Sequence, residues 1–463
     1  MPTFSGDALA RWAEGTWDPA PPPAGPLSGV FHDTRKGVRG ALYAALKGPR
    51  FDGHAFVDAA LASGAAAALV DRGYARSPAA AGAPLLRVTD TREALRRLAL
   101  GYRRDLAVEI VAVTGSAGKS TVKEMTAHLL EGAMRVARTR GNWNNDIGLP
   151  LSLLAMERDT RIGVFEVGTN HPGELAPLCS LLEPRWGLLT NVGPAHLEYF
   201  GTLAGVAREK STVLRAVPPD GTCVLWTGTE RFEDLRSAVP GRLVTVALEG
   251  RADYLGAGAP GGDSDASVAE TATGERFVFK PPLPGRHNLL NALFAVAVAR
   301  GHGMGWEAIR AGFDSFTPLP MRWARTTAGG LTWIEDEQNA SPLSMRAALE
   351  TFAATPAEGR KWLVLGGMLE LGPDEERYHR DVGRLAARSR CDGLVAVGGR
   401  GGWIADGAAE AGMPEARIAR CGNAASAASV LFERTKRGDT VLLKASRAMR
   451  LEDVRSEYVL LAV

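Results

Sequence analysis

Cysteine is scarce in this 463-residue sequence: Cys179, Cys223, Cys391 and Cys421 are far apart and form no C-x-x-C pair. That excludes a disulfide framework and a thiolate zinc site, and it favours a reducing compartment. Neither charge sign prevails, with 54 Lys+Arg against 52 Asp+Glu, so a polybasic nucleic-acid wrapper and an acidic tail are both excluded. No apolar run approaches the roughly 18 residues needed to cross a bilayer. The opening segment, MPTFSGDALARWAEG, lacks a basic stretch followed by an apolar one. Repeats of about 20–50 residues are absent as well. These absences predict a cytoplasmic protein, monomeric, that inserts into no membrane and binds no nucleic acid.

What is present is an ordinary globular mixture, 45% hydrophobic and 23% charged, with 54 glycines and 27 prolines. So many turn formers argue for short connections and an α/β pattern rather than a helical bundle. Three low-complexity stretches, residues 19–26, 77–84 and 256–267, read as loops. Short apolar runs alternate with helical periodicity in two series, the signature of mostly parallel sheets covered by helices. The first comprises residues 110–113, a helical face at Val122, Met125, Leu129 and Leu130, and strands near 162–167 and 187–190. The second comprises strands near 331–334, 361–365, 394–397 and 440–443. At roughly 150 residues per domain, the length fits three domains: 1–107, 108–320 and 321–463.

The strongest motif is Thr114-Gly115-Ser116-Ala117-Gly118-Lys119-Ser120-Thr121, between a buried strand and an amphipathic helix. Glycines let backbone N–H groups converge on a phosphate, and the helix N-terminus adds its positive end. Lys119 can neutralise the β/γ phosphates, and a hydroxyl of Ser120 or Thr121 can hold Mg²⁺. The residue five places before Gly118 is Val113, so this is not the common G-x-x-x-x-G-K-[ST] pattern. A GTPase needs an Asn-Lys-x-Asp segment, and the comparable stretch, Thr190-Asn191-Val192-Gly193-Pro194-Ala195-His196, has neither lysine nor aspartate.

With further segments, the chain resembles the Mur ligases, the ATP-dependent amide-forming ligases of peptidoglycan precursor synthesis. The likeness is carried by Asp33-Thr34-Arg35-Lys36 and Asp52-Gly53-His54, by Gly141-Asn142-Trp143-Asn144-Asn145-Asp146, and by Glu166-Val167-Gly168. It extends to His287-Asn288-Leu289-Leu290-Asn291, Gly366-Gly367-Met368-Leu369-Glu370-Leu371-Gly372 and Lys444-Ala445-Ser446-Arg447. The resemblance implies a small α/β UDP-binding domain, a central ATPase-like domain and a C-terminal Rossmann-like domain for the incoming amine. Within the family it is nearest to members that add D-alanyl-D-alanine to UDP-N-acetylmuramoyl-tripeptide, using ATP and Mg²⁺. A ligase for another amino-acid acceptor and a nucleotide-binding scaffold without activity stay as alternatives.

The resemblance also assigns roles. Lys119, Lys210 and His196 are the implied catalytic residues, and Gly115, Ser116, Ala117, Gly118, Lys119, Ser120 and Thr121 hold phosphates. Asn291 is the implied adenine contact, and Arg322 and Asp336 hold the ribose and γ-phosphate side. Ser120, Glu166 and His196 would ligate metal, joined by Lys210 if carbamylated. Thr34, Arg35 and Lys47 would bind the UDP-sugar, Asn142, Asn144 and Asn145 its peptide end, and Lys444, Ser446 and Arg447 the other substrate. By chemistry alone His196 reads as a core or capping residue, and Lys210, on the apolar face of a helix over residues 202–217, as a lysine whose head reaches water. The sequence departs from the family at Asp336-Glu337-Gln338-Asn339-Ala340-Ser341-Pro342, where Asp-x-Tyr-Asn-Ala-Asn-Pro is usual. It departs also at Gly367, where aspartate is common, at Ala445, where glycine is common, and at Trp226-Thr227-Gly228-Thr229, where an Asn/Asp segment is common.

Overall fold

The computed structural model describes residues 1–19, 21–48, 51–259 and 264–462. It forms two compact units: Met1–Ala112 with Ala133–Thr169 and Glu174–Trp186, and Val113–Gly132 with Asn170–Gly173 and Gly187–Val463.

In the first unit, a five-stranded sheet runs in the order Thr16–Asp18, Leu85–Val88, Ala67–Asp71, Leu42–Ala44 and Val30–Phe31. All neighbours are parallel except the first pair. Its core gathers Phe31, Tyr43, Val57, Ala68, Val70 and Leu85. The helix Thr91–Arg104 starts at Asp90, whose carboxylate accepts the N–H groups of Arg92 and Glu93. Its Leu95, Leu98, Ala99 and Tyr102 are buried at helical spacing. The unit also holds the parallel strands Val136–Arg138 and Ile162–Glu166, and the second of these is buried along its whole length.

The second unit opens with the helix Lys119–Glu131, which packs on Arg286–Gly301. That second helix is apolar nearly all round and correspondingly buried on every side. Thr222–Trp226, Arg242–Ala247 and Tyr254–Ala257 run parallel, followed by antiparallel Ala266–Glu270 and Arg276–Phe279. Here the structure corrects one expectation. The stretch 256–267, expected as a loop, carries the ends of two paired strands, with residues 260–263 outside the described residues. Gly256 disguised the strand: a Cβ there would lie 2.9 Å from a methyl of Leu293, so the strand needs glycine to seat the helix.

The remaining sheet of this unit has the order Ala324–Ala328, Leu331–Glu335, Thr440–Lys444, Lys361–Gly366, Gly393–Val397 and Ile418–Cys421. Only the first pair is antiparallel. Residues of Ala424–Arg434 and Glu452–Leu461 cover the face bearing Trp362, Val364, Val395 and Val397. Leu363, Leu365, Leu394 and Ala396, pointing the other way, are buried too, as a sheet covered on both faces requires. The mixed α/β class and the mostly parallel sheets agree with the sequence reading. Among the described residues no helix is long and apolar enough to cross a membrane.

Candidate functional site

The strand Glu109–Thr114 ends where the phosphate-loop motif begins, and the motif's two glycines have positive φ, 148° at Gly115 and 82° at Gly118. A Cβ at Gly115 would lie 1.9 Å from Thr190 Oγ1, and one at Gly118 would lie 2.6 Å from Asn291 Oδ1. Glycine is therefore required on both steric and conformational grounds. The loop rests on the Thr190–Asn191 segment. Thr190 Oγ1 donates to the Ala117 carbonyl at 2.6 Å, and Asn191 Oδ1 accepts the Ala117 N–H at 2.9 Å. Ser116 N–H donates to the Asn191 carbonyl at 3.0 Å, and its hydroxyl donates to the Gly193 carbonyl at 3.0 Å. No side chain caps the helix Lys119–Glu131, so its first turn faces the loop with backbone donors.

Lys119 Nζ donates to the Gly115 carbonyl at 3.0 Å, and Ser120 Oγ accepts from Arg322 Nη2 at 2.9 Å. Arg322 lies between Met321 and Trp323, both left-handed with φ 57° and 56°. Asn291 is buried against the loop and donates to Asn288 Oδ1 at 3.1 Å. The structure thus gathers Lys119, Ser120, Asn291 and Arg322 at one place.

Lys210 sits on the buried face of Leu203–Arg215 and is 2% exposed, close enough for its charge to act on His196. His196 is left-handed at φ 53°, and its Nδ1 pairs with a carboxylate oxygen of Glu370. Burial holds the imidazole below the usual histidine value, while the hydrogen bond to Glu370 pulls the other way. His196 and Glu370 line a cavity of about 170 Å³ with Ser116, Asn339, Ser341, Leu371, Ser446 and Arg447. Part of the altered segment therefore faces the same space as the phosphate loop.

The loop 336–341 is tied to the strand end at Lys444. This lysine is 2% exposed, and it donates to Asp336 Oδ2 at 2.6 Å and to the carbonyls of Asp336 and Asn339 at 3.1 and 3.2 Å. All three ammonium donors are thereby engaged within the protein. Ser341 caps Pro342–Ala354 by accepting the Ser344 N–H. Ser446 Oγ accepts the Leu369 N–H at 3.1 Å, and Arg447 pairs with Glu452 at 2.6 Å. His379, fully buried, accepts the Met368 N–H at Nε2 (2.9 Å) and donates from Nδ1 to the Glu375 carbonyl (2.6 Å). Glu337 is 1% exposed, and neither carboxyl oxygen has a hydrogen-bond partner. Burial, with Glu335, Asp336 and Glu452 adding negative charge, pushes its carboxyl up to about 7.

The remaining expected residues belong to the first unit. Glu166 ends its strand 3% exposed, with Oε1 accepting from Asn144 Nδ2 at 2.8 Å. Asn145 Oδ1 accepts the Gly148 N–H at 2.9 Å and so supports the start of Gly148–Leu154, while Asn142 is exposed in the same loop. Thr34 opens a short turn capped by Asp33, and Arg35 forms a fork with the Asp33 carboxylate at 2.9 and 2.8 Å. Lys47 pairs with Asp71, which also accepts the Thr91 N–H at 3.2 Å. Sequence reasoning gave no role to Glu370, Thr190 or Asn191, although all three stand inside motifs it had singled out. Among the described residues no three His, Cys, Asp or Glu side chains cluster as a metal cage.

Comparison with known proteins places three matches end to end. Residues 26–103 match the Mur ligase family catalytic domain, 113–299 the Mur ligase middle domain, and 321–447 the Mur ligase glutamate ligase domain. The UDP-N-acetylmuramoyl-tripeptide–D-alanyl-D-alanine ligase of Bacillus subtilis is 35% identical over 439 residues, 94% of this chain and 93% of that protein. The enzyme of the same name from Escherichia coli is 37% identical over 383 residues, 80% of this chain and 81% of that one. A crystal structure of MurF from Acinetobacter baumannii superposes with a TM-score of 0.88 at 28% identity, covering 99% of both chains. MurF ligase from Thermotoga maritima, solved in complex with ADP, gives 0.79 at 29% identity over 94% of this chain and 97% of that one.

Proposed function

The chain belongs to the Mur ligase family, and from that premise we infer that it joins D-alanyl-D-alanine to UDP-N-acetylmuramoyl-tripeptide, converting ATP to ADP and phosphate. The observation that carries the reading is the phosphate loop: two glycines that admit no Cβ, buttressed by Thr190 and Asn191, at the uncapped start of a helix. Three domains divide the work: residues 1–107 for the sugar nucleotide, 108–320 for ATP and 321–463 for the incoming amine. The enzyme acts as a cytoplasmic monomer on small-molecule substrates.

The reaction has two steps. A carboxylate oxygen of the tripeptide attacks the γ-phosphorus and ADP leaves. The dipeptide amine then attacks the acyl phosphate, an amide C–N bond forms, and phosphate departs. Both steps bring anions together, so charge neutralisation is the main requirement. Lys119 and Arg322 supply positive charge at the phosphate loop, with Gly115 to Thr121 gripping the phosphates and Asn291 meeting the adenine. Asp336 faces the ribose, held by Lys444.

Mg²⁺ suits the donors present. Ser120 would offer a hydroxyl from the second unit and Glu166 a buried carboxylate oxygen from the first, each a hard oxygen donor of the kind Mg²⁺ takes. When bound, it would offset the charge that gathers between carboxylate and γ-phosphate. His196 would add a nitrogen ligand, and Lys210 an oxygen ligand once its amine had combined with CO₂ as a carbamate. Lys210 is 2% exposed, on the buried face of its helix. In the first unit, Thr34, Arg35 and Lys47 bind the diphosphate, and Asn142, Asn144 and Asn145 line the approach of the peptide carboxylate.

The test is phosphate release by purified protein with ATP, Mg²⁺, UDP-N-acetylmuramoyl-tripeptide and one acceptor at a time, with the product weighed by mass spectrometry. Release and a product heavier by the dipeptide less water, seen only with D-alanyl-D-alanine, is the expected result. Turnover with a single amino acid instead would make this a ligase for another acceptor. No turnover with any acceptor would make it a scaffold.

A further inference from the structure

His196 and Glu370 stand 174 positions apart and meet side chain to side chain within one compact unit. Each is left-handed, at φ 53° and 62°, a state that residues with a Cβ hold only where the surroundings fix it. The surroundings here do so. The Tyr199 N–H donates to the His196 carbonyl at 3.0 Å, and the Glu198 N–H to the Glu370 carbonyl at 3.3 Å. Gly372, at φ 71°, brings its own backbone so near Glu198 that a Cβ would lie 3.3 Å from the Glu198 Cα. The far side of the segment is pinned by Ser446 at the Leu369 N–H and by His379 at the Met368 N–H. Two strained residues are thus held facing each other by contacts on both flanks, and the ordinary surface ion pair has none of these restraints.

We propose that Glu370 is a positioning residue that acts through His196, fixing the imidazole with its proton on Nδ1 and its lone pair on Nε2, in the cavity shared with Ser116 of the phosphate loop. A carboxylate accepts, so the nitrogen it touches must donate, and in the neutral ring the other nitrogen is left as the acceptor or ligand. The proposal rests on the ligase reading for its kinetic consequences. The tautomer itself is a property of the folded chain.

The experiment uses the full chain, labelled with ¹⁵N-histidine, with a non-hydrolysable ATP analogue and the UDP-tripeptide bound. Long-range ¹H–¹⁵N spectra are expected to show His196 protonated at Nδ1 in the wild type and in Glu370→Gln, and the Nε2–H or a mixed form in Glu370→Ala. In turnover, Glu370→Ala should lose about 10–100-fold in kcat, with KM for ATP and for the UDP-tripeptide within about twofold. Glu370→Gln, which keeps an acceptor oxygen, should recover most of the loss. In a double-mutant cycle His196→Ala/Glu370→Ala should be no slower than His196→Ala alone. An unchanged tautomer in Glu370→Ala, or a further loss of the same size on the His196→Ala background, would overturn the proposal. If the wild type turned over no acceptor, the functional reading would fall while the spectra still decided the pairing.

Discussion

Around the phosphate loop, Lys119 lies against a backbone carbonyl of its own loop, the loop's peptide groups are held by Thr190 and Asn191, and the Ser116 hydroxyl is held by Gly193. At the other candidate binding region, in the first unit, Arg35 and Lys47 are mostly exposed and rest on the carboxylates of Asp33 and Asp71. The first arrangement keeps its shape whether or not an anion is present, because buried backbone bonds are expensive to leave unmade. The second exchanges one anion for another at little energetic cost, since exposed ion pairs contribute little. Residues of the first kind should therefore affect the chemical step, and residues of the second kind the binding of one substrate.

The largest expected effect breaks the first side of this comparison. Lys119→Ala should lower kcat by about 10²–10³-fold or more, roughly 3–4 kcal/mol of transition-state stabilisation, with melting temperature almost unchanged. Single-turnover phosphate release with saturating substrates measures it. Near-normal turnover would mean that the loop grips nothing during the reaction.

Next comes Lys444, intermediate between the two regions because it is buried and yet holds a loop rather than a phosphate. Lys444→Met leaves Asp336 and two carbonyls without their donor, and should cost roughly 2–4 kcal/mol of stability, read as a lower denaturant midpoint. ATP affinity should fall as well if the loop 336–341 must be ordered to bind nucleotide. A stable variant with normal ATP binding would place Lys444 among the replaceable cations.

These cases show why some of the site could be read from sequence. The phosphate loop lies within eight consecutive residues between a buried strand and a helix, so spacing alone exposed it. Lys210 was legible through helical period, which set it on the face that turned out to be buried. The ties that complete the site are long-range: Ser120 to Arg322 across 202 positions, His196 to Glu370 across 174, Lys444 to Asp336 across 108. Nothing local pairs such residues. Only the fold does, and for that reason Glu370 carried no signal beyond its place in a motif. At residues 256–267, composition misled because glycine was needed for packing against Leu293 and not for a turn.

Glu337 sharpens the comparison from the side of charge, since it is a buried acid with no cation on it. With its carboxyl pushed up to about 7 from an ordinary 4.5, the folded state prefers the protonated form. The penalty is absent at low pH, grows as pH rises from about 4.5 to about 7, and is constant above. Denaturant unfolding should show Glu337→Gln nearly matching wild type at about pH 4 and exceeding it at about pH 8 by about 1–3 kcal/mol. Equal stabilities at pH 8 would mean that Glu337 finds a partner on ionisation.

The smallest effect on the folded protein is expected at Lys47, where the question is which role its charge serves. Its ammonium is exposed and paired with Asp71. The same carboxylate accepts the Thr91 N–H at 3.2 Å, and the His54 ring takes the Asp71 N–H at 3.0 Å, so Asp71 remains anchored when the lysine is removed. Lys47→Ala should therefore leave the melting temperature within a degree or two of wild type. Losing one phosphate contact should raise KM for the UDP-tripeptide about tenfold, with KM for ATP and kcat unchanged, because the diphosphate is bound equally in ground and transition states. A drop in melting temperature with unchanged KM would reverse the assignment: Lys47 would then serve Asp71, and the contrast between a rigid phosphate loop and an exchangeable sugar-nucleotide end would lose its second half.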